Sequence, residues 1–225
     1  MNTLDILRLA NKFYVMAKGE TLPADSKDTD TILKNIENLE TYAARIKYAE
    51  KNLDHLSSGS SRIVYTLPDG TILKLAKNDR GLAQNKAEGN PEMKSPYLNK
   101  LLRAAKNRAW INMQFLDKIT EKEFEEMTDV DFKDFGDAIR YGLKDVSDNS
   151  EEKPKNFEEI SKTKVYKELY NVGKEFKLMP GDIARISSWG CKDNHPVLID
   201  AGLTKEIFDK YYDSGTTDRL SESSV

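Results

Sequence analysis

An α+β fold is predicted by three features of the sequence. Apolar residues at helical spacing come first. A β-hairpin, a helix and a strand follow, and a second group of helices leads to one more strand near the end. Strands and helices are thus grouped in runs, not in the strict alternation that a parallel sheet requires.

The elements follow in order. Residues 3–18 place Leu4, Ile6, Leu7, Leu9, Ala10, Phe13, Tyr14 and Met16 at roughly helical spacing, between Thr3 as N-cap and Gly19 as stop. Residues 31–56 repeat the pattern through Ile32, Ile36, Leu39, Ala43, Ile46, Leu53 and Leu56, and predict one long helix. Two β-rich runs, 63–67 and 71–76, are joined by Pro68-Asp69-Gly70, which is hairpin chemistry. A helix, or a helix with a loop, is expected over 81–94, and a strand over 109–119. A helix is expected over 124–141, an exposed charged insertion over 144–159, and a helix over 165–178. A buried strand over 196–199 and a disordered tail from 213 complete the list. The implied division is a helical extension (1–56), a β-rich part (57–119), a mainly helical part (120–212) and a tail (213–225).

Composition narrows the function. Of 225 residues, 38% are hydrophobic and 32% charged, enough for a core beneath a heavily charged surface. Lys and Arg number 35 against 38 Asp and Glu, a net charge of −3 that makes nucleic acid an unlikely partner. Cys191 is the single cysteine, so an intrachain disulfide is impossible and a reducing, cytoplasmic setting is expected. No run approaches the ~18 apolar residues of a membrane helix. His55 and His195 form no zinc spacing with Cys191. Asp129, Asp131 and Asp134 lack the glycine and terminal glutamate of a calcium loop and read as a charged helix start.

Four features carry chemistry. The turn Ser57-Ser58-Gly59-Ser60-Ser61 precedes a strand, and its small residues would let backbone N–H groups approach a phosphate. Lys74 sits mid-strand among apolar residues, where a fixed cation needs a carboxylate; Glu88 on the next helix can supply it. Asp182 follows Pro180-Gly181, as a turn former does. Asp200 ends the apolar run Val197-Leu198-Ile199, either to satisfy turn amides or to hold a metal ion at the strand tip.

In this order, with Asp200 18 residues after Asp182, the features resemble the protein-kinase-like fold. The likeness is to its small-molecule branch, of aminoglycoside- and choline-kinase type, and to small kinase-like proteins of tailed bacteriophages. GSSRIVYTLPDGTILKL resembles the phosphate loop, hairpin and lysine strand, AWINMQFLD the strand entering the hinge, PGD the catalytic loop and IDAG the metal motif. The resemblance implies a two-lobed fold with a minimal C-terminal lobe, and an ATP- and Mg²⁺-dependent phosphotransferase or nucleotidyl transferase acting on an unknown protein or small-molecule acceptor. Gly59, Ser60 and Ser61 would cover the phosphates, and Lys74, paired with Glu88, would contact them. Phe115 and Leu116 would lie near adenine, Asp182 would accept a proton, and Asp200 would hold Mg²⁺.

The sequence departs from that pattern in several places. Ser187 stands where the family places a metal-binding Asn, Pro180-Gly181 replaces the usual Arg or His before the catalytic Asp, and Arg62 occupies a position often held by glycine. No Ala-Pro-Glu segment follows Asp200. The alternative is a catalytically degenerate pseudokinase that serves as an interaction or virion-associated protein.

Overall fold

The computed structural model describes residues 28–147 and 152–213. The expected helix at 3–18, the centre of the charged insertion and nearly all of the tail lie outside the described residues. What is described is a mixed α/β fold with antiparallel sheets, in line with the α+β expectation.

The stretch expected as one helix over 31–56 is instead two helices and the start of a strand. Helix α1 (Thr29–Glu37) is capped by Asp28, whose side chain accepts from the Thr31 N–H. Helix α2 (Tyr42–Asn52) is capped by Thr41, which accepts from the Ala44 N–H. Asn38 and Thr41 thus interrupt the pattern, because short polar side chains compete for backbone groups. Strand β1 (Asp54–Ser58) follows, with all five residues exposed. It was not foreseen because a strand with no buried face carries no alternation.

Strand β1 pairs with β2 (Arg62–Thr66), and β2 pairs with β3 (Ile72–Ala76). The loop Pro68–Asp69–Gly70 closes as expected: Gly70 has φ 82°, and Asp69 accepts from the Thr71 N–H and hydroxyl. Helix α3 (Asp79–Glu88) starts at Asn78, whose side chain accepts from the Gly81 N–H. The strand expected over 109–119 divides into β5 (Trp110–Met113) and β6 (Asp117–Lys118), after an unforeseen β4 (Leu101–Ala104). The five-stranded sheet runs β1-β2-β3-β5-β4.

The expected helix over 124–141 is likewise two, α4 (Glu121–Thr128) and α5 (Phe132–Gly142). Asp129, with φ 57°, ends the first, and Asp131 caps the second by accepting from the Asp134 N–H. This is the charged helix start that the sequence predicts. Short turns α6 (Lys144–Ser147) and α7 (Phe157–Ile160) occupy the two ends of the expected insertion. Helix α8 (Lys164–Glu175), a one-turn helix α9 (Pro180–Ile183), strands β7 (Trp189–Lys192) and β8 (His195–Leu198), and a short α10 (Lys205–Phe208) complete the chain. Strands β6, β7 and β8 form a second sheet.

The apolar residues segregate into distinct clusters. Ile32, Leu33 and Ile36 of α1 and Ala49 of α2 pack on Tyr65, Leu73, Leu75 and Trp110 of the large sheet. Phe124, Phe135, Ile139, Leu169 and Trp189 centre another cluster among α4, α5, α8 and β7. Burying side chains of this size stabilises each cluster by about 1.5–3 kcal/mol per residue. Among the described residues, no helix is long and apolar enough to cross a membrane.

Candidate functional site

A cleft of about 700 Å³ opens between the two sheets. Gly59, Ser60, Ser61, Lys74, Phe115, Leu116, Asp182 and Asp200 all line it. Glu88 does not; it stands behind Lys74. Residues more than 100 positions apart therefore meet at one place.

Of the segment expected as a turn, Ser57 and Ser58 instead end strand β1, paired with Val64 and Ile63, and Gly59, Ser60 and Ser61 form the tip of the β1–β2 hairpin. The Gly59 N–H donates to the Arg62 carbonyl at 2.9 Å, so this amide is already used. The backbone N–H groups of Ser60 and Ser61 have no partner among the described residues. The Ser61 side chain is buried and donates to Gln84 Oε1 at 2.6 Å, holding the turn onto α3. Gly81 makes that approach possible, since a Cβ there would sit 2.1 Å from the Ser61 carbonyl oxygen.

Lys74 is buried at 4% exposure and donates from Nζ to Glu88 Oε1 at 2.7 Å and to the Ile199 carbonyl at 2.7 Å. The pair expected from sequence is therefore formed. Glu88 Oε1 also accepts from the Ala201 N–H at 3.3 Å. The other carboxylate oxygen is taken by Arg62, whose Nη1 donates to Glu88 Oε2 at 2.5 Å. Arg62 Nη2 donates to Asp200 Oδ1, again at 2.5 Å, and Lys74 Nζ lies 4.0 Å from that oxygen. Two cations and two carboxylates thus share one knot. Asn85 Oδ1 and Gly202 complete it: Asn85 accepts from Arg62 Nη1 at 3.4 Å, and a Cβ on Gly202 would lie 3.1 Å from Nη2. Such a cluster survives burial only because every charge faces an opposite one.

Sequence reasoning did not place Arg62 in the site. An arginine at the first position of a strand gives no sign of a partner 138 residues away. Burial works against its charge, but the carboxylates of Glu88 and Asp200 outweigh that and keep it protonated. For Asp200, burial alone would raise the pKa; the charges of Arg62 and Lys74 win and hold it below the usual carboxylate range. Its side chain is nonetheless 48% exposed, on the cleft side.

Asp182 has a different setting. It sits on α9, which Trp189 fixes by donating from its indole N–H to the Ile183 carbonyl at 2.8 Å. Among the described residues only Arg185, at 3.4 Å, forms an ion pair with it, and Arg185 is exposed. Burial, and then the like charge of Asp200, push the Asp182 carboxyl up to about 6. That value suits a group that takes a proton near neutral pH. Ser187 lines the same cleft.

The Mg²⁺ ion implied at Asp200 finds a poor donor set. Among the described residues, no group of three His, Cys, Asp or Glu side chains is placed to hold a metal. One Asp200 oxygen is held by a guanidinium, and position 187 offers a hydroxyl where a carbonyl or carboxylate oxygen would serve a hard cation better. The residues as arranged do not fit the ion.

No protein-family model and no curated protein matches the sequence. Solved structures with a distant likeness include two aminoglycoside phosphotransferases. One is the streptomycin–ATP ternary complex of APH(2")-IIa, with TM-score 0.34 and 15% identity over 73% of this chain and 71% of that one. The other is the ADP-bound aminoglycoside phosphotransferase APH(2'')-Ib, with TM-score 0.35, 15% identity and the same coverage. A likeness of this degree carries no functional argument, so the geometry of the cleft must carry it.

Proposed function

We propose that the cleft binds ATP and that the chain is a kinase-like phosphotransferase with a two-lobed design. One observation carries this reading: a buried lysine, fixed by a glutamate of the neighbouring helix, reaches the floor of a cleft closed above by a small-residue turn. A cation restrained in this way, together with free backbone N–H groups at Ser60 and Ser61, suits a polyphosphate. Phe115 and Leu116 supply apolar surface for the base at the far end.

In the transfer step, an acceptor hydroxyl oxygen attacks the γ-phosphorus. The bond from that phosphorus to the bridging oxygen breaks, ADP leaves, and the hydroxyl proton passes to Asp182. Lys74 holds the phosphates of the leaving nucleotide, and Asp200 keeps Arg62 in position beside them. Nucleotidyl transfer would use the same binding groups with attack at a different phosphorus. The target that this reading expects is a host or phage component.

The test is slow ATP hydrolysis, with water as acceptor, by the wild type and by Asp182→Asn. Removing a general base is expected to lower the rate about 100-fold or more. Equal rates would remove Asp182 from the chemistry. The grip of Arg62 on Asp200 favours a second reading, a pseudokinase that binds nucleotide and transfers nothing. It expects no hydrolysis above background, with nucleotide binding intact.

A further inference from the structure

The disagreement between Asp200 and a metal ion points to a property of its own. We propose that Arg62 stands in for the divalent cation, so that this cleft takes a nucleoside triphosphate without any metal. The inference rests on the nucleotide reading above.

Three observations support it. First, Arg62 lies where a cation bound to Asp200 would lie, because its Nη2 is 2.5 Å from Asp200 Oδ1. A metal ion at that oxygen would have to displace a buried guanidinium. Second, the position is built and not incidental. Glu88 Oε2 and Asn85 Oδ1 hold the other arm of the guanidinium, and a Cβ on Gly202 would crowd both of its terminal nitrogens, at 3.1 and 3.2 Å. Arginine offers five N–H donors in a fixed plane, and such a fork matches phosphate oxygens as well as carboxylates. Third, the charge around the cleft is already supplied by side chains. Arg62, Lys74, Lys118 and Arg185 line it with Asp117, Asp182 and Asp200, and Glu88 holds Lys74 and Arg62 from behind, so four cations stand against four carboxylates with no metal ion in the balance.

A metal ion and a guanidinium do different things for a phosphate. The ion bridges oxygens and must be brought in from solution, whereas the guanidinium is part of the chain and cannot leave. A cleft of the second kind binds nucleotide equally well when free Mg²⁺ is absent.

The experiment is isothermal titration of ATP into the full chain, in excess EDTA and in millimolar Mg²⁺. Parallel titrations use Arg62→Gln and Arg62→Lys, with folding checked by circular dichroism. For the wild type, the two dissociation constants are expected to agree within about threefold. For Arg62→Gln, affinity in EDTA is expected to fall about tenfold or more and to recover when Mg²⁺ is added, because Asp200 is then free for the ion. Arg62→Lys should retain part of the metal-free binding. Wild-type binding that appears only with Mg²⁺ would overturn the inference and leave the nucleotide reading standing. No binding under either condition would overturn both. The wild-type pair of titrations decides the matter even if Arg62→Gln does not fold.

Discussion

The two walls of the cleft are built to different standards. On the large-sheet side, Arg62, Lys74 and Glu88 are all under 10% exposed and pair with one another, with Asp200 drawn into the same knot. On the other side, Asp182 has one ion-pair partner among the described residues, the exposed Arg185 at 3.4 Å, and a raised pKa. Charges that satisfy each other fix a geometry, and removing one leaves its partners buried and uncompensated. A carboxylate left short of partners loses stability and gains reactivity. On the proposed reading, the sheet side holds the nucleotide and the Asp182 side is where the proton moves.

The largest way to break this contrast is Glu88→Ala. It would leave Lys74 and Arg62 buried with one shared carboxylate in place of two. A loss of ~3–5 kcal/mol in unfolding free energy is expected, measured by urea denaturation. A loss below ~1 kcal/mol would mean that the knot is not the buried, interdependent unit described here. Next is Gly81→Ala, whose new Cβ would meet backbone at Ser61 with no room to give. About 3 kcal/mol of destabilisation is expected, together with weaker nucleotide binding as the Gly/Ser turn shifts.

Asp182→Asn sharpens the contrast in the opposite direction. The folded-state pKa, about 6, lies above the ordinary value near 3.9. The folded protein therefore binds the proton more tightly than the unfolded chain. Stability from this group is full below pH ~4 and is lost as pH rises through about 6. Replacing the carboxyl by an amide should raise stability by ~1–3 kcal/mol at pH 7.5 and change it little at pH 4, read as melting temperature against pH. Destabilisation at pH 7.5 would show that Asp182 is well partnered after all. The smallest effect is expected for Asp200→Ala. Asp200 is half exposed and Arg62 keeps Glu88, so about 1 kcal/mol or less should be lost.

Much of the large-sheet wall was legible in the sequence. Lys74 stood out because a cation amid Ile72, Leu73, Leu75 and Ala76 needs a carboxylate, and Glu88, one helix later, is that carboxylate. The hairpin was legible because Pro68-Asp69-Gly70 is turn chemistry in its own right. Arg62 was not, since its partners depend on how distant segments fold together. Nor was β1, whose exposed face leaves no pattern. The helices over 31–56 and 124–141 were merged because apolar spacing carries across a short break. Only the polar side chains at Asn38, Thr41, Asp129 and Asp131 mark the ends, and each is also an ordinary helix-surface residue. For Asp182 and Asp200 the sequence offered position but not setting: the same residue type faces one exposed arginine at the first and is gripped by a buried one at the second.

The central claim is that a polyphosphate lies against Lys74. The most direct measurement is equilibrium binding of ATP to the wild type and to Lys74→Met, a substitution that keeps the buried stem and removes the charge. Binding by the wild type, weakened at least about tenfold in a Lys74→Met protein of native fold, is the predicted result. Equal affinity in the two proteins, or no binding by the wild type at millimolar ATP, would contradict it.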